Sequence, residues 1–212
     1  MFNRGCLILS VFLALAGNVK PASAQGPALQ VQVYDYAGLK PKALHEFVYR
    51  TQEILVHTGL SVEVVVCQED ASACRGEVGS PAQVAVRVLA GEAKSMKNVR
   101  RPPLGQSFAD ASGGGLASVF LSRVQDAADE AGVPWTIVLS YAAAHEIGHL
   151  LLGKDAHTPA GLMRANWDRS DFQAMYQLCL HFSDEQTRQL ASRYGAVHQT
   201  VARPETLLAA RR

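Results

Sequence analysis

Apolar and polar residues alternate from Leu29 to Tyr36, with Leu29, Val31 and Val33 set against Gln30, Gln32 and Tyr34, and a period of two predicts a β-strand. Pro41 opens a stretch with apolar positions at Leu44, Phe47, Val48, Ile54 and Leu55, which predicts a helix that Gly59 stops. The β-branched run from Leu60 to Cys67 predicts a second strand, and Gln83 to Leu89, carrying Val84, Val86 and Val88, a third. Strand, helix, strand in that order points to a parallel pair with a right-handed crossover. The polar residues 68–80, bounded by Gly76, Gly79 and Pro81, read as a loop, and so do residues 91–103, which are basic and then proline-rich. The paired Arg100 and Arg101 give the latter an alternative reading as a processing site. Leu104 to Ala109 and Leu116 to Leu121 predict two more strands around a flexible turn at Gly113-Gly114-Gly115, and residues 122–131 a short helix or turn.

A longer helix follows Gly132-Val133-Pro134, with the proline in its first turn. Val138, Tyr141 or Ala142, His145, His149 and Leu152 share one face of it, while Ile147, Leu150 and Leu151 point elsewhere, so this helix is expected to be buried nearly all round. Ala142 to Ala144 are small enough for close packing against a sheet. Towards the end of the chain, Ser183 and Gln186 have the spacing of a capping box that starts a last helix, with Thr187, Leu190, Ala191 and Tyr194 on its apolar side and Gly195 at its end. Residues 196–212 read as a mobile tail.

The 212 residues suffice for one substantial domain, and an apolar fraction of 48% is ordinary for a packed one. Residues 1–24 read as a secretory signal: Arg4 supplies the positive start, Cys6 to Gly17 an apolar core too short to span a bilayer, and Ala22-Ser23-Ala24 the cleavage site. An uncleaved anchor is the alternative. The expected organisation is thus a signal over 1–24, one folded domain over 25–195 and a tail over 196–212, in a secreted, periplasmic or extracellular protein. Losing Arg4 and Lys20 from the 20 basic residues, against 19 acidic ones, leaves a net charge of −1. That gives no electrostatic case for nucleic acid or for an anionic membrane. In an oxidising compartment Cys67 and Cys74 are expected to form a short-loop disulfide, with zinc binding by the pair as the lesser alternative, and Cys179 to be a buried thiol.

The chemistry concentrates in Tyr141 to Met163, which contains His145-Glu146-Ile147-Gly148-His149. On a helix, two imidazoles four residues apart lie one turn above the other and can hold one Zn²⁺. Glu146, beside the first of them, can take a proton from a water held there. Gly153 follows the helix, Asp155 and His157 offer a further ligand, and Gly161-Leu162-Met163 comes shortly after. The third ligand has two readings. In one, Gly153 ends the helix in a left-handed turn and the loop returns His157 to the metal; in the other, Asp155 is the ligand. His157 is favoured because imidazole is a common zinc ligand and no other histidine lies nearby downstream. His45, His57, His181 and His198 read as ordinary surface or core histidines.

This stretch resembles the metzincin zinc peptidases, matrixin type, whose motif is His-Glu-x-x-His-x-x-Gly-x-x-His with a downstream Met-turn. His145 and His149 match the first two ligands, Glu146 the general base and Met163 the Met-turn methionine. The family's glycine and third ligand would fall on Leu152 and Asp155; here Gly153 comes one residue late and His157 two late. The resemblance covers roughly residues 29 to 194. It implies an α+β, metzincin-like zincin with a twisted, mixed five-stranded sheet, a backing helix, an active-site helix and a small C-terminal helical subdomain. Leu104 to Ala109 is similar to the matrixin edge strand, against which a peptide could pair. Matrixins carry extra His and Asp ligands near this edge; no such cluster stands here, so one catalytic Zn²⁺ is expected and neither a structural zinc nor calcium. A tyrosine that helps the oxyanion in some metzincins is replaced by Ala165, and Arg164, Trp167 and Tyr176, the other candidates, read as structural.

The function implied is a secreted zinc-dependent endopeptidase acting on peptide or protein substrates, a monomer free of nucleic acid and, after signal cleavage, of membrane. Two alternatives stand beside it: another zinc hydrolase, such as a cell-wall peptide amidase, and a non-catalytic secreted zinc-binding protein on the same fold. Glu146 weighs against the latter, because a structural zinc site has no need of a base.

Overall fold

The computed structural model describes residues 29–67, 74, 82–91, 103–109 and 115–195. The signal at 1–24, most of the loop at 68–80, the basic and proline-rich segment with Arg100 and Arg101, the turn at Gly113-Gly114, His198 and the tail at 196–212 lie outside the described residues.

Five strands form one sheet: β1 (Leu29–Asp35), β2 (Val62–Val66), β3 (Ala82–Leu89), β4 (Gly105–Ala109) and β5 (Gly115–Phe120), in the order β2-β1-β3-β5-β4. All neighbours run parallel except β4, which lies antiparallel to β5 at the edge. The alternation read in β1 and β3 is a core alternation, since Leu29, Val31, Val33, Val86 and Val88 are all fully buried. Gln32, on the opposite face of β1, is buried as well, and its amide donates to the Cys74 carbonyl at 3.2 Å. The Cys67–Cys74 disulfide forms, with its Cα atoms 5.8 Å apart.

Helix α1 (Pro41–Val56), with its proline in the first turn, backs the sheet and buries Phe47, Ile54 and Leu55. Residues Leu121–Ala131 form a full helix, α2, which Gly132 closes at φ 70° in the left-handed region. Pro134 is the N-cap residue of α3 (Trp135–Leu152) rather than a member of its first turn. As the pattern predicts, α3 is buried nearly all round, packed against α1, α2, β4 and β5. A further helix, α4 (Arg169–Tyr176), is not among the expected elements. Its signal was Asp168, whose carboxylate accepts from the Ser170 and Asp171 N–H groups in a capping box that Asp171 reciprocates. Ser183 and Gln186 form the expected box at α5 (Asp184–Leu190), and a π-helical turn carries the chain from Ala191 to Gly195.

Cys179 is a correction. It is exposed and, among the described cysteines, the free one. Leu178 takes a left-handed conformation, φ 57°, to end α4, and the Cys179 N–H bonds back to the Ala174 carbonyl at 2.8 Å, which turns the side chain outward. No helix of the described residues is long and apolar enough to cross a membrane.

Candidate metal centre

The four-residue spacing on α3 puts the rings of His145 and His149 edge to face, with centroids 4.9 Å apart. Gly153 ends the helix at φ 107° and ψ 166°, an extended glycine conformation rather than the expected left-handed turn, and its N–H bonds to the His149 carbonyl at 2.9 Å. The chain then doubles back, so that the His157 Nε2 lies 3.0 Å from the His149 Nε2, which in turn lies 3.2 Å from the His145 Nε2. One nitrogen from each of the three rings falls within 4.8 Å of the others. Asp155 is not part of this cluster; it is exposed and, like His157, lines a cavity of about 490 Å³ between the loop and α5.

The direction of the lone pairs follows from the other ring nitrogens. His145 Nδ1 is 2.9 Å from the Leu162 carbonyl and His149 Nδ1 3.3 Å from the Gly153 carbonyl. A carbonyl can only accept, so each Nδ1 carries the hydrogen and each Nε2 presents a bare lone pair. Burial pushes His145 down to about 4, against the pull of the Leu162 carbonyl, and lowers His149 too. Two neutral imidazoles therefore turn acceptors toward each other. Such a donor set fits a zinc ion: nitrogens 2.0–2.1 Å from one tetrahedral centre stand about 3.3 Å apart.

Met163 is fully buried beneath α3, and Gly148 makes room for it. A Cβ there would run into the Met163 sulfur and would lie 2.9 Å from Phe182 Cε1. Trp167 presents its ring edgewise to His145 at 5.4 Å, and its Nε1–H donates to the Leu162 carbonyl at 3.1 Å. Arg164 is occupied by Asp168 and Asp171, and Tyr176 is exposed.

Glu146, buried at the other side of the pair, sits under β4. The approach is so close that a Cβ on Gly105 would stand 2.7 Å from Glu146 Cγ. Burial pushes the carboxyl up to about 7, and a hydrogen bond with Ser107 opposes the shift.

The fold is similar to the crystal structure of archaemetzincin from Methanopyrus kandleri, with a TM-score of 0.52 at 16% identity over 81% of this chain and 98% of that one. The fold is that of a metzincin-like zincin. Metalloproteinase-II from Bacteroides fragilis overlaps with a TM-score of 0.42 at 14% identity, over 81% of this chain and 55% of its own. No family model and no curated protein matches the sequence.

Two residues that lie against Glu146 carry little signal of their own in the sequence. Ser107 was only one polar position in an edge strand, and Gly105 only a small residue at its start; the register of β4 on β5 brings both over Glu146. His57 and His181 stack on each other with centroids 4.7 Å apart and are not members of the three-histidine cluster.

Proposed function

We propose that the chain is a secreted zinc-dependent endopeptidase, with His145, His149 and His157 as the metal ligands, Glu146 as the general base and Met163 as the Met-turn residue. The observation that carries the proposal is the convergence of three imidazoles beside a buried carboxylate that they do not include. A purely structural zinc has no use for that carboxylate. Zinc in such a ligand set supplies Lewis-acid chemistry, polarising a peptide carbonyl and lowering the pKa of water.

Each residue has a defined task. The Leu162 and Gly153 carbonyls hold His145 and His149 in the tautomer that keeps Nε2 available. A Glu146 oxygen accepts the proton of the attacking water and returns it to the nitrogen of the departing amine, so the carboxylate is unchanged after turnover. The Ser107 hydroxyl fixes the carboxylate during both transfers. The Cys67–Cys74 disulfide supports an oxidising, exported setting for the domain.

The test is proteolysis of a diverse peptide pool read by mass spectrometry, beside Glu146→Gln. Cleavage by the wild type that a chelator and Glu146→Gln each abolish is the expected result. Intact peptides from a zinc-loaded protein would overturn the peptidase reading.

A further inference from the structure

Gln186 is the second half of the capping box at α5, and its side chain does more than close that box. It is 5% exposed. Its Oε1 accepts from the Ser183 N–H at 3.1 Å, which is the helix-capping bond. Its Nε2 reaches out of α5 and donates to the Ala156 carbonyl at 2.8 Å, across 30 residues of chain. Ala156 directly precedes His157. The same residue donates its N–H to the Gly153 carbonyl at 3.2 Å, and on the other side of His157 the Thr158 N–H donates to the Met163 carbonyl at 3.0 Å. The backbone on both sides of His157 is therefore fixed, to the end of α3, to the turn that carries Met163, and, through Gln186 alone among these contacts, to a side chain.

His157 needs such support more than its partners do. His145 and His149 inherit their positions from a buried helix, whereas His157 is exposed on a loop. We propose that Gln186 is a positioning residue for the metal centre, holding the Ala156 carbonyl so that the His157 imidazole meets His145 and His149. The inference rests on the ligand set proposed above.

Gln186→Glu separates the two halves of the interaction. A glutamate retains the oxygen that caps Ser183, and Ser-x-x-Glu is itself a capping box, so α5 keeps its start. Its second oxygen takes the place of Nε2 and turns an acceptor toward the Ala156 carbonyl. Gln189→Glu, three residues further along α5 and lining one cavity with Gln186, adds an equal charge at an amide that donates to Glu185 Oε1 at 3.1 Å rather than to Ala156, and serves as the control.

The experiment measures metal affinity of the chain by competition with a chromophoric chelator and records the visible spectrum after cobalt(II) substitution. Wild type and His157→Ala define the limits. The expected result is a Gln186→Glu protein that melts within a few degrees of wild type, binds zinc about 10- to 100-fold more weakly, and shows a cobalt spectrum displaced toward that of His157→Ala. Gln189→Glu should match wild type. If His157→Ala binds zinc as wild type does, the ligand assignment fails. If His157→Ala is impaired but Gln186→Glu matches wild type in affinity and spectrum, the ligand assignment stands and the positioning role is overturned. Should Gln186→Glu fail to fold, Gln186→Met, neutral and of similar size, is read in its place, and failure of both would make Gln186 structural and overturn the proposal.

Discussion

His145 Nδ1 and the Leu162 carbonyl are 2.9 Å apart across 17 residues of chain. The bond ties α3 to the turn beneath it and sets the tautomer that frees Nε2. The turn is held in its own right, because the Leu162 N–H donates to the His181 carbonyl at 2.8 Å. Whatever displaces the turn displaces the acceptor for His145.

Gly148→Ala should do this. The new methyl would collide with the Met163 sulfur and crowd Phe182. Overpacking of this kind costs about 1–3 kcal/mol, and the alanine gains back about 1 kcal/mol in helix propensity. The net is a loss of up to about 2 kcal/mol in a denaturant titration, with about tenfold weaker zinc binding. A variant with unchanged stability and affinity would show that Met163 and its turn are free to move.

Ser107 and Gly105 make a second pair of predictions at Glu146. Ser107→Ala removes a hydrogen bond to the carboxyl, and at about 1.4 kcal/mol per decade of rate it should lower kcat about tenfold while zinc content stays at one ion. Ser107→Thr should restore most of the rate. Gly105→Ala should lower both stability and kcat, since its methyl would lie 2.7 Å from Glu146 Cγ and 2.8 Å from the Ser118 carbonyl. Wild-type kcat in Ser107→Ala would remove this residue from the site.

Asp168 gives a pH dependence of stability. Hydrogen bonds from Ser170 and Arg164 hold its carboxyl well below the ordinary carboxylate range. A carboxylate whose pKa falls on folding adds stability that is complete above its unfolded value, about 3.9, and is lost as pH drops through the lower folded value. Asp168→Ala should therefore melt a few degrees below wild type at pH 7, and the gap should close in strong acid. An equal gap at both ends of the pH range would refute the charge-based account and leave only packing.

Opening the Cys67–Cys74 bridge releases a short loop with a sequence separation of 7. Chain-entropy arguments put the loss at about 2–3 kcal/mol. Denaturant titration with and without a reductant measures it, and coincident curves would mean that the bridge contributes nothing to the domain.

The local part of this architecture was legible in the sequence because its causes are local. Period-two alternation marked β1 and β3, and a helical period with Pro41 marked α1. The i, i+4 spacing that pairs His145 with His149 is a property of any helix, and the Ser183–Gln186 box advertises its helix within four residues. α4 escaped notice because its eight residues carry a weak apolar pattern, so that Asp168 and Asp171 were the only sign. Cys179 was misjudged because its outward direction depends on the left-handed Leu178, a conformation that no leucine announces.

The remaining decisions belong to the tertiary structure, since they depend on where distant segments return. Either His157 or Asp155 was compatible with the spacing; the fold of the 153–158 loop brings the imidazole to the pair and leaves the carboxylate out of that cluster. Ser107 meets Glu146 only because β4 turns antiparallel on β5, and Gln186 meets Ala156 only because α5 packs against the loop. Sequence alone determined which side chains could carry the chemistry, through spacing along single elements. Their assembly into one centre required contacts across tens of residues, and those are set by packing of the whole core.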